Sequence, residues 1–253
     1  MLLYHYTKLE NLTSIVKKDG LVFWLTEYKE LDDPTEGDYI LKVQQEYYSG
    51  WTNNNVDLYV LSLCEQFDNL SMWREYANNA SGIALGIETD KIRPSKFYNL
   101  VCCDYGNQMN SLYKQELDSE MESMSSIESI EKYLKTSERF PDLSLEDIKE
   151  FNKKMKVMSG SYKQLCVKSP YYSYEKEWRY IVKLSDISQF RYYFKGGKLK
   201  KSYEFRIQPD AFAKIYVGSN NSDVIIEEVE KYLKMVGYEH IPIEKLNLPY
   251  RSR

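Results

Sequence analysis

The 253-residue chain has few of the residues from which metal centres and disulfide frameworks are built, with four cysteines and two histidines. No two cysteines form a C-x-x-C motif, and Cys102 and Cys103 are adjacent, a spacing at which the two rarely bridge each other. The tight Cys/His spacing of a zinc site is also absent. We therefore expect reduced thiols, no resident metal and a cytoplasmic protein.

Several sequence signatures of whole protein classes are missing as well. No apolar run approaches the roughly 18 residues of a membrane span, so no membrane segment is expected. Neither G-x-G-x-x-G nor G-x-x-x-x-G-K-[ST] occurs, which argues against a Rossmann cofactor site and a P-loop. The nucleophile elbow G-x-S-x-G is absent too, and no motif supports a cysteine nucleophile paired with His5 or His240.

The length of the chain fits one large domain or two small ones, and we expect a single folded domain over residues 1–253. Hydrophobic residues make up 43% and charged residues 28%, and the net charge is −4. No long Lys/Arg run stands out, so a large non-specific nucleic-acid surface is not expected, although a local basic groove remains open. The 24 tyrosines suit strands and wet pockets, and most are expected to be structural.

The hydrophobic pattern predicts an α+β fold with many short strands and few long helices. Leu2–Tyr6 alternates as a strand, Thr7-x-x-Glu10 has the form of a capping box, and Gly20 then ends the predicted helix. Further strands are predicted at 21–26, 58–64, 82–87, 98–105, 164–167, 177–184, 191–194, 202–207, 213–217 and 240–243, and further helices at 38–48, 70–76 and 223–235.

Residues 107–162 differ from the rest of the chain. Strand signals stop there, and polar helical patterns with many acidic residues replace them. We interpret this segment as a helical insertion within the single domain. It is either a solvated insertion or a lid or partner-binding element.

His5 lies at the end of the first predicted strand, close to the predicted helix N-terminus. The partial positive charge of a helix N-terminus favours phosphate or ribose-phosphate groups. His5 is therefore either part of a nucleotide-binding set or a packed histidine.

The stretch YYSYEKEWRY, residues 171–180, carries two acids and a cation at alternate positions. In an extended conformation Glu175, Glu177 and Arg179 share one face. Two carboxylates this close repel, so a cation or a ligand is expected beside them. The alternative is a surface Glu-Arg ladder on an edge strand.

The stretch at residues 61–86 contributes further candidates. Ser62 sits inside an apolar strand, where its hydroxyl needs a partner. Trp73 and Tyr76 share a helix face and are either core residues or stacking platforms, whereas Arg74 faces elsewhere and is able to pair with a carboxylate or phosphate.

Five motifs in order resemble those of a bacterial domain family of unknown function. They are LYHYT at 3–7, LDDPTE at 31–36, LSMWREYA at 70–77, GIALGI at 82–87 and YxxExEWR at 172–179. This family is similar to a distant branch of the ADP-ribosyltransferase superfamily. The resemblance implies a split β-sheet core that binds NAD as substrate.

The resemblance also implies residue roles. His5 would contact the NAD ribose, Ser62 would support the nicotinamide site, and Glu177 would be the catalytic carboxylate. Glu175 would orient the acceptor. Tyr6 and Thr7 complete the His-aromatic-Thr strand with which DNA-modifying members begin, and they are expected near the cofactor together with Arg74.

The resemblance thus predicts an NAD-dependent ADP-ribosyltransferase of toxin or phage-defence type that acts on DNA, RNA or protein. NAD hydrolysis is a close variant, and an antitoxin or regulatory partner is a further expectation. One alternative is a non-catalytic nucleotide- or nucleic-acid-binding module, whose tyrosines would stack on bases. Another is an interaction protein that uses the acidic insertion.

Overall fold

The structure is a computed structural model that describes residues 1–31, 57–93, 98–103, 105, 166, 168–184 and 190–249. Within these residues the chain forms one open sheet and a small number of helices. The strands are β1 (Leu2–Thr7), β2 (Val16–Lys17), β3 (Gly20–Glu27), β4 (Asp57–Cys64), β5 (Ile83–Glu88), β6 (Tyr98–Cys102), β7 (Glu177–Leu184), β8 (Phe190–Lys195), β9 (Lys198–Ile207), β10 (Phe212–Val217) and β11 (Ile243–Lys245). The α-helices are α1 (Leu12–Ile15), α2 (Leu70–Glu75) and α3 (Asp223–Val236).

The strands follow the order β11-β10-β5-β1-β4-β3-β9-β8, and β7 and β6 branch from β4. Most neighbours are antiparallel, whereas β10 and β11 are parallel. A large mixed sheet with few helices confirms the predicted α+β class. The matching pairs of apolar residues on neighbouring strands set this register, because a slip by one residue would turn them to the other face.

The sheet splits along one edge of β4. On one side β4 pairs with β7 over its full length, from Asp57 with Leu184 to Cys64 with Glu177. On the other side it pairs with β3 only at residues 59 and 60 and with β1 only at Cys64. Between these contacts, among the described residues, β1 and β3 leave the edge of β4 open at residues 61–63.

The two faces of the sheet are covered differently. On one face α1 and α3 bury the main core, which includes Leu3, Phe23 and Leu61. On the other face α2 packs Trp73 and Met72 against residues of β1 and β4. We call this second face the site face, since most of the candidate functional residues lie on it. His5 is the exception, because it alternates with Tyr4 and Tyr6 along β1 and packs against Phe23 of the main core.

The segment after β1 corrects a prediction. Instead of one helix capped by Thr7 and ended by Gly20, the chain makes a short 3₁₀ turn, the one-turn helix α1 and then strand β2. The Thr7 hydroxyl accepts a hydrogen bond from Asn11 Nδ2 (2.8 Å) rather than from a helix backbone. Gly20 lies in β3 at φ +133°, where a Cβ would meet the carbonyl of Ile207 at 2.2 Å.

Other elements follow the pattern closely. Helix α2 begins after Asn69, whose side chain accepts from the backbone of Ser71 and Met72. Helix α3 ends at Gly237, which adopts φ +87° as predicted for a C-terminal glycine. The predicted insertion, the predicted helix at 38–48 and most of LDDPTE lie outside the described residues. No helix in the described part of the chain is long and apolar enough to cross a membrane.

Candidate functional site

A cavity of about 140 Å³ opens on the site face at the split beside β4. It gathers side chains from β1, β4, α2, β7 and the segment that leads into β7. Its lining includes His5, Ser62, Lys168, Glu175, Glu177 and Arg179, together with Tyr4, Tyr6, Leu31, Leu63, Met72, Tyr76 and Tyr172. Five of the predicted site residues therefore line one cavity, although they come from distant parts of the chain. They are His5, Tyr6, Ser62, Glu175 and Glu177.

Glu177 is the most strongly paired acid in the cavity. Arg179 donates to both of its carboxylate oxygens at 2.9 Å, and Lys168 Nζ donates to Oε2 at 2.8 Å. Burial raises the pKa of Glu177, but the two cations outweigh burial and hold the pKa at about 2. Glu177 is therefore a fixed anion in an almost fully compensated environment.

Glu175 has a different environment, although Lys168 contacts both acids. Its Oε1 accepts from the Tyr76 hydroxyl at 2.8 Å, and its Oε2 accepts from Lys168. Burial raises the pKa of Glu175, and the hydrogen bonds from Lys168 and Tyr76 only partly oppose this. Two carboxyls on one ammonium thus have pKa values shifted in opposite directions, an arrangement common where one acid exchanges protons and the other stays charged.

The local backbone explains how the two acids reach the same lysine. Residues Pro170–Glu175 form a 3₁₀ turn, and Lys176 adopts a left-handed conformation at φ +42° before β7 begins. Glu175 is therefore not on the strand, so the shared face that an extended conformation would give the two acids does not form. The turn brings Glu175 toward Glu177 from beside the strand end.

The surface-ladder interpretation of this stretch is also wrong. Strand β7 lies between β4 and β6, so it is not an edge strand. The side chains of Glu177 and Arg179 are 5% and 2% exposed. A buried ion pair that loses one partner leaves an uncompensated charge in a medium of low polarity, so both partners are needed.

His5 lies at the split itself. Its Nδ1 donates to the Ser62 carbonyl at 3.1 Å, because a carbonyl is only able to accept. The ring also packs edge-on against Phe23, with centroids 5.0 Å apart. Burial lowers the pKa of His5, and the hydrogen bond to Ser62 opposes this only in part. At neutral pH the imidazole is therefore uncharged and carries its proton on Nδ1. This N–H replaces the backbone donor that a neighbouring strand would offer to the Ser62 carbonyl.

Ser62 and the tyrosines form the open wall of the cavity. Ser62 is exposed and stands opposite Arg179 in the β4–β7 pair, so both side chains lie on the site face. The Tyr6 hydroxyl donates to the Gln66 carbonyl at 2.6 Å, and its ring packs edge-on against Trp73. Trp73 is fully buried, as its core interpretation predicts.

Two of the predicted site residues are not brought into the cavity. Arg74 is exposed on α2 and is not among the residues that line the cavity. Thr7 is buried but does not line the cavity, and its hydroxyl accepts the hydrogen bond from Asn11 Nδ2. Of the cofactor-binding set, His5, Tyr6 and Ser62 remain at the cavity.

Lys168 and Tyr76 are the residues that sequence reasoning missed. The demand of two nearby carboxylates for a cation was a usable signal, but Lys168 stands within a stretch whose pattern predicted no site. Tyr76 was considered only as a core or stacking residue, whereas its hydroxyl bonds to Glu175.

Metal-binding and thiol chemistry find little support in the described part of the chain. No group of three or more His, Cys, Asp or Glu residues there is arranged to hold a metal ion. The four cysteines are free thiols. Burial raises the pKa of Cys64 to about 11, so this thiol beside the cavity is protonated at neutral pH.

Comparison with known proteins links the chain to one family. Residues 72–180 match the model of a family described as a protein of unknown function, DUF2971. The match begins at Met72 in α2 and ends at Tyr180 in β7, so it includes Tyr76, Lys168 and both acids. No curated protein matches the chain, and no solved structure matches it.

Proposed function

We propose that this protein cleaves NAD at the nicotinamide–ribose bond and transfers ADP-ribose to a macromolecule. The observation that carries the proposal is the joint position of His5, Ser62 and Glu177. They come from three strands, β1, β4 and β7, and line one cavity at the split of the sheet. The ADP-ribosyltransferase resemblance assigns these residue types to the ribose, the nicotinamide site and the catalytic carboxylate.

The size of the cavity supports binding of a single ring rather than a whole dinucleotide. Its volume of about 140 Å³ is close to that of the ~150 Å³ engineered cavity that binds benzene. Tyrosine and methionine side chains in the wall suit a flat aromatic ring. In this proposal the nicotinamide enters, and the adenylate end stays outside near β1.

The reaction uses the carboxylates for charge stabilisation. As the C1′–N bond breaks, its electron pair leaves with neutral nicotinamide, and positive charge develops on the ribose. A fixed anion beside that ribose lowers the energy of the developing cation. The acceptor oxygen or nitrogen then bonds to C1′ and releases its proton.

Glu175 is the residue best suited to take that proton. A raised pKa brings a carboxylate nearer to neutral pH and makes it a better base. Glu177 stays ionised and orients Lys168 and Arg179. Lys168 connects the two acids and fixes their spacing.

A second candidate function is a nucleotide-binding module without turnover. It is favoured by the pairing of Glu177, whose charge Arg179 and Lys168 already compensate. A compensated carboxylate stabilises an oxocarbenium ion less than a free one does. The arrangement would then hold the cavity open for a ligand that is never cleaved.

The deciding experiment follows NAD labelled on the adenylate. The pure protein is incubated with NAD alone and with DNA, RNA or lysate protein, and nicotinamide and labelled polymer are both measured. The proposal predicts nicotinamide release and label on one polymer class. Release without labelled polymer indicates hydrolysis, and retention of NAD binding without release supports the binding module.

Variants make the outcome specific to the cavity. Ser62→Ala and Glu175→Gln should each lower nicotinamide release at least tenfold, whereas Glu239→Gln, an exposed acid beyond α3, should leave it unchanged. Glu177→Gln is a poor first variant, because it leaves two buried cations without their shared partner. Equal rates in all variants would contradict the proposal.

A further inference from the structure

The hairpin of β8 and β9 has an unusual charge for this chain. Residues 190–202, FRYYFKGGKLKKS, contain five cations and no acid. The chain as a whole has a net charge of −4, so the other 240 residues sum to −9. A basic edge hairpin on an acidic protein is a local attraction for polyanions.

Aromatic side chains alternate with these cations on the two sides of the hairpin. On one side Arg191 lies over the Trp24 ring at 4.2 Å and near the Tyr193 ring at 5.7 Å. On the other side Tyr192 and Phe194 are 61% and 77% exposed. A guanidinium that lies over an aromatic ring is held flat against it, and this pairing of cation and ring suits stacking on an unpaired base.

The Trp24–Arg191–Tyr193 stack shares the site face with the cavity. Arg191 stands opposite Ser202, and Ser202 stands opposite Thr26 of β3. Thr26 in turn stands opposite Val60, two residues before Ser62. Because paired residues lie on the same side of a sheet, the stack and Ser62 face the same way. Arg191 lies three strand spacings from Val60, and with the two residues from Val60 to Ser62 the separation is roughly 16 Å.

Two acidic residues near this stack, Glu30 and Glu204, are in ion pairs. Lys200 contacts Glu30, and Arg206 contacts both Glu204 at 2.6 Å and Asp19 at 2.9 Å. Lys198, at the turn, is exposed. The stack and the turn thus present cations and rings to solvent.

We propose that this part of the site face, formed by Trp24, Arg191, Tyr193 and Lys198, binds single-stranded nucleic acid. Cations contact phosphates, and aromatic and guanidinium planes stack on unpaired bases, which is the usual combination for single strands. A duplex keeps its bases stacked on each other and therefore gains little from exposed rings. The strand would run along the site face toward the cavity.

This inference deepens the proposed function by naming its acceptor class, and for that step it depends on NAD cleavage. Nucleic-acid binding itself does not depend on it. Binding is therefore measured without NAD, and the two ideas fail independently. If the protein binds single strands but leaves NAD intact, the proposed nucleic-acid surface is supported and the proposed transferase activity is refuted.

The test measures fluorescence anisotropy of a labelled dT12 oligonucleotide and its RNA counterpart, the same oligonucleotide as a duplex, and vesicles of anionic lipid. Tyr193→Ala is paired with Tyr192→Ala, a neighbour on the opposite side of the same strand. Lys198→Glu is paired with Lys234→Glu on α3, which covers the other face of the sheet. Urea unfolding confirms that each variant folds.

We expect Tyr193→Ala to weaken single-strand binding about tenfold and Lys198→Glu to weaken it about threefold, with both controls within twofold. Affinity should fall as salt is raised, and the duplex should bind more weakly. Absence of binding, equal loss in Tyr192→Ala, preference for the duplex, or binding of vesicles alone would each overturn the proposal.

Discussion

Replacing Glu177 with glutamine should lower the free energy of unfolding strongly, because it removes the buried anion that pairs with Arg179 and Lys168. Burial raises the pKa of Glu177, but Arg179 and Lys168 outweigh it and lower the pKa from 4.5 to about 2. That lowering corresponds to about 3 kcal/mol of folding free energy at neutral pH. Loss of one partner of a buried ion pair costs a similar amount, about 3–5 kcal/mol.

The pH dependence of this loss has a definite sign. The pKa of Glu177 is depressed in the folded state, so its stabilising contribution is present above pH 4.5 and is lost as the pH falls from 4.5 toward 2. The difference in unfolding free energy between wild type and Glu177→Gln should therefore be largest near neutral pH. It should shrink steadily in acid.

Urea unfolding followed by circular dichroism at about pH 7 and about pH 3 measures both effects. Glu175→Gln serves as the control, because the pKa of Glu175 is raised by burial and its ionised form contributes less. A Glu177→Gln variant within about 1 kcal/mol of wild type would refute the reasoning. An equal deficit at both pH values would refute it as well.

Three further predictions rest on other contacts. Imidazole NMR at pH 6.5 should find His5 mostly neutral with its proton on Nδ1, since burial lowers its pKa from the ordinary 6.5; a predominantly charged ring at that pH would contradict this. Asn69→Ala removes the cap of α2 and the bond to the Tyr174 carbonyl, so urea unfolding should detect a loss of about 1–2 kcal/mol. Tyr76→Phe removes a donor to ionised Glu175, so the acid limb of any activity profile should move to higher pH; an unchanged limb would exclude Glu175 as the base.

Sequence patterns were sufficient for the strands because their side-chain period is short and local. The predicted bounds of β7, residues 177–184, agree with the structure, and Gly237 ends α3 as expected. The predicted helix at Thr7 failed because two residues, Val16 and Lys17, pair with β3 instead of continuing the apolar stripe. Tertiary pairing outweighed the capping signal there.

The candidate site could be predicted only in part. Glu175 and Glu177 stand out by their spacing, but their meeting at Lys168 depends on a 3₁₀ turn and on the left-handed Lys176. A single positive φ at a lysine has no local sequence signal of the kind that glycine provides. The open edge of β4 likewise has no local signal, because it depends on how β1 and β3 share that edge.

Solution NMR of the protein labelled at its methionine methyl groups tests the central claim most directly. Met72 lines the cavity, whereas Met235 on α3 is 81% exposed and lies on the other face of the sheet. If the cavity binds the nicotinamide ring, nicotinamide should shift the Met72 methyl resonance in a saturable manner and leave that of Met235 in place. An unmoved Met72 resonance at saturating nicotinamide, or equal shifts at both methyl groups, would contradict the account.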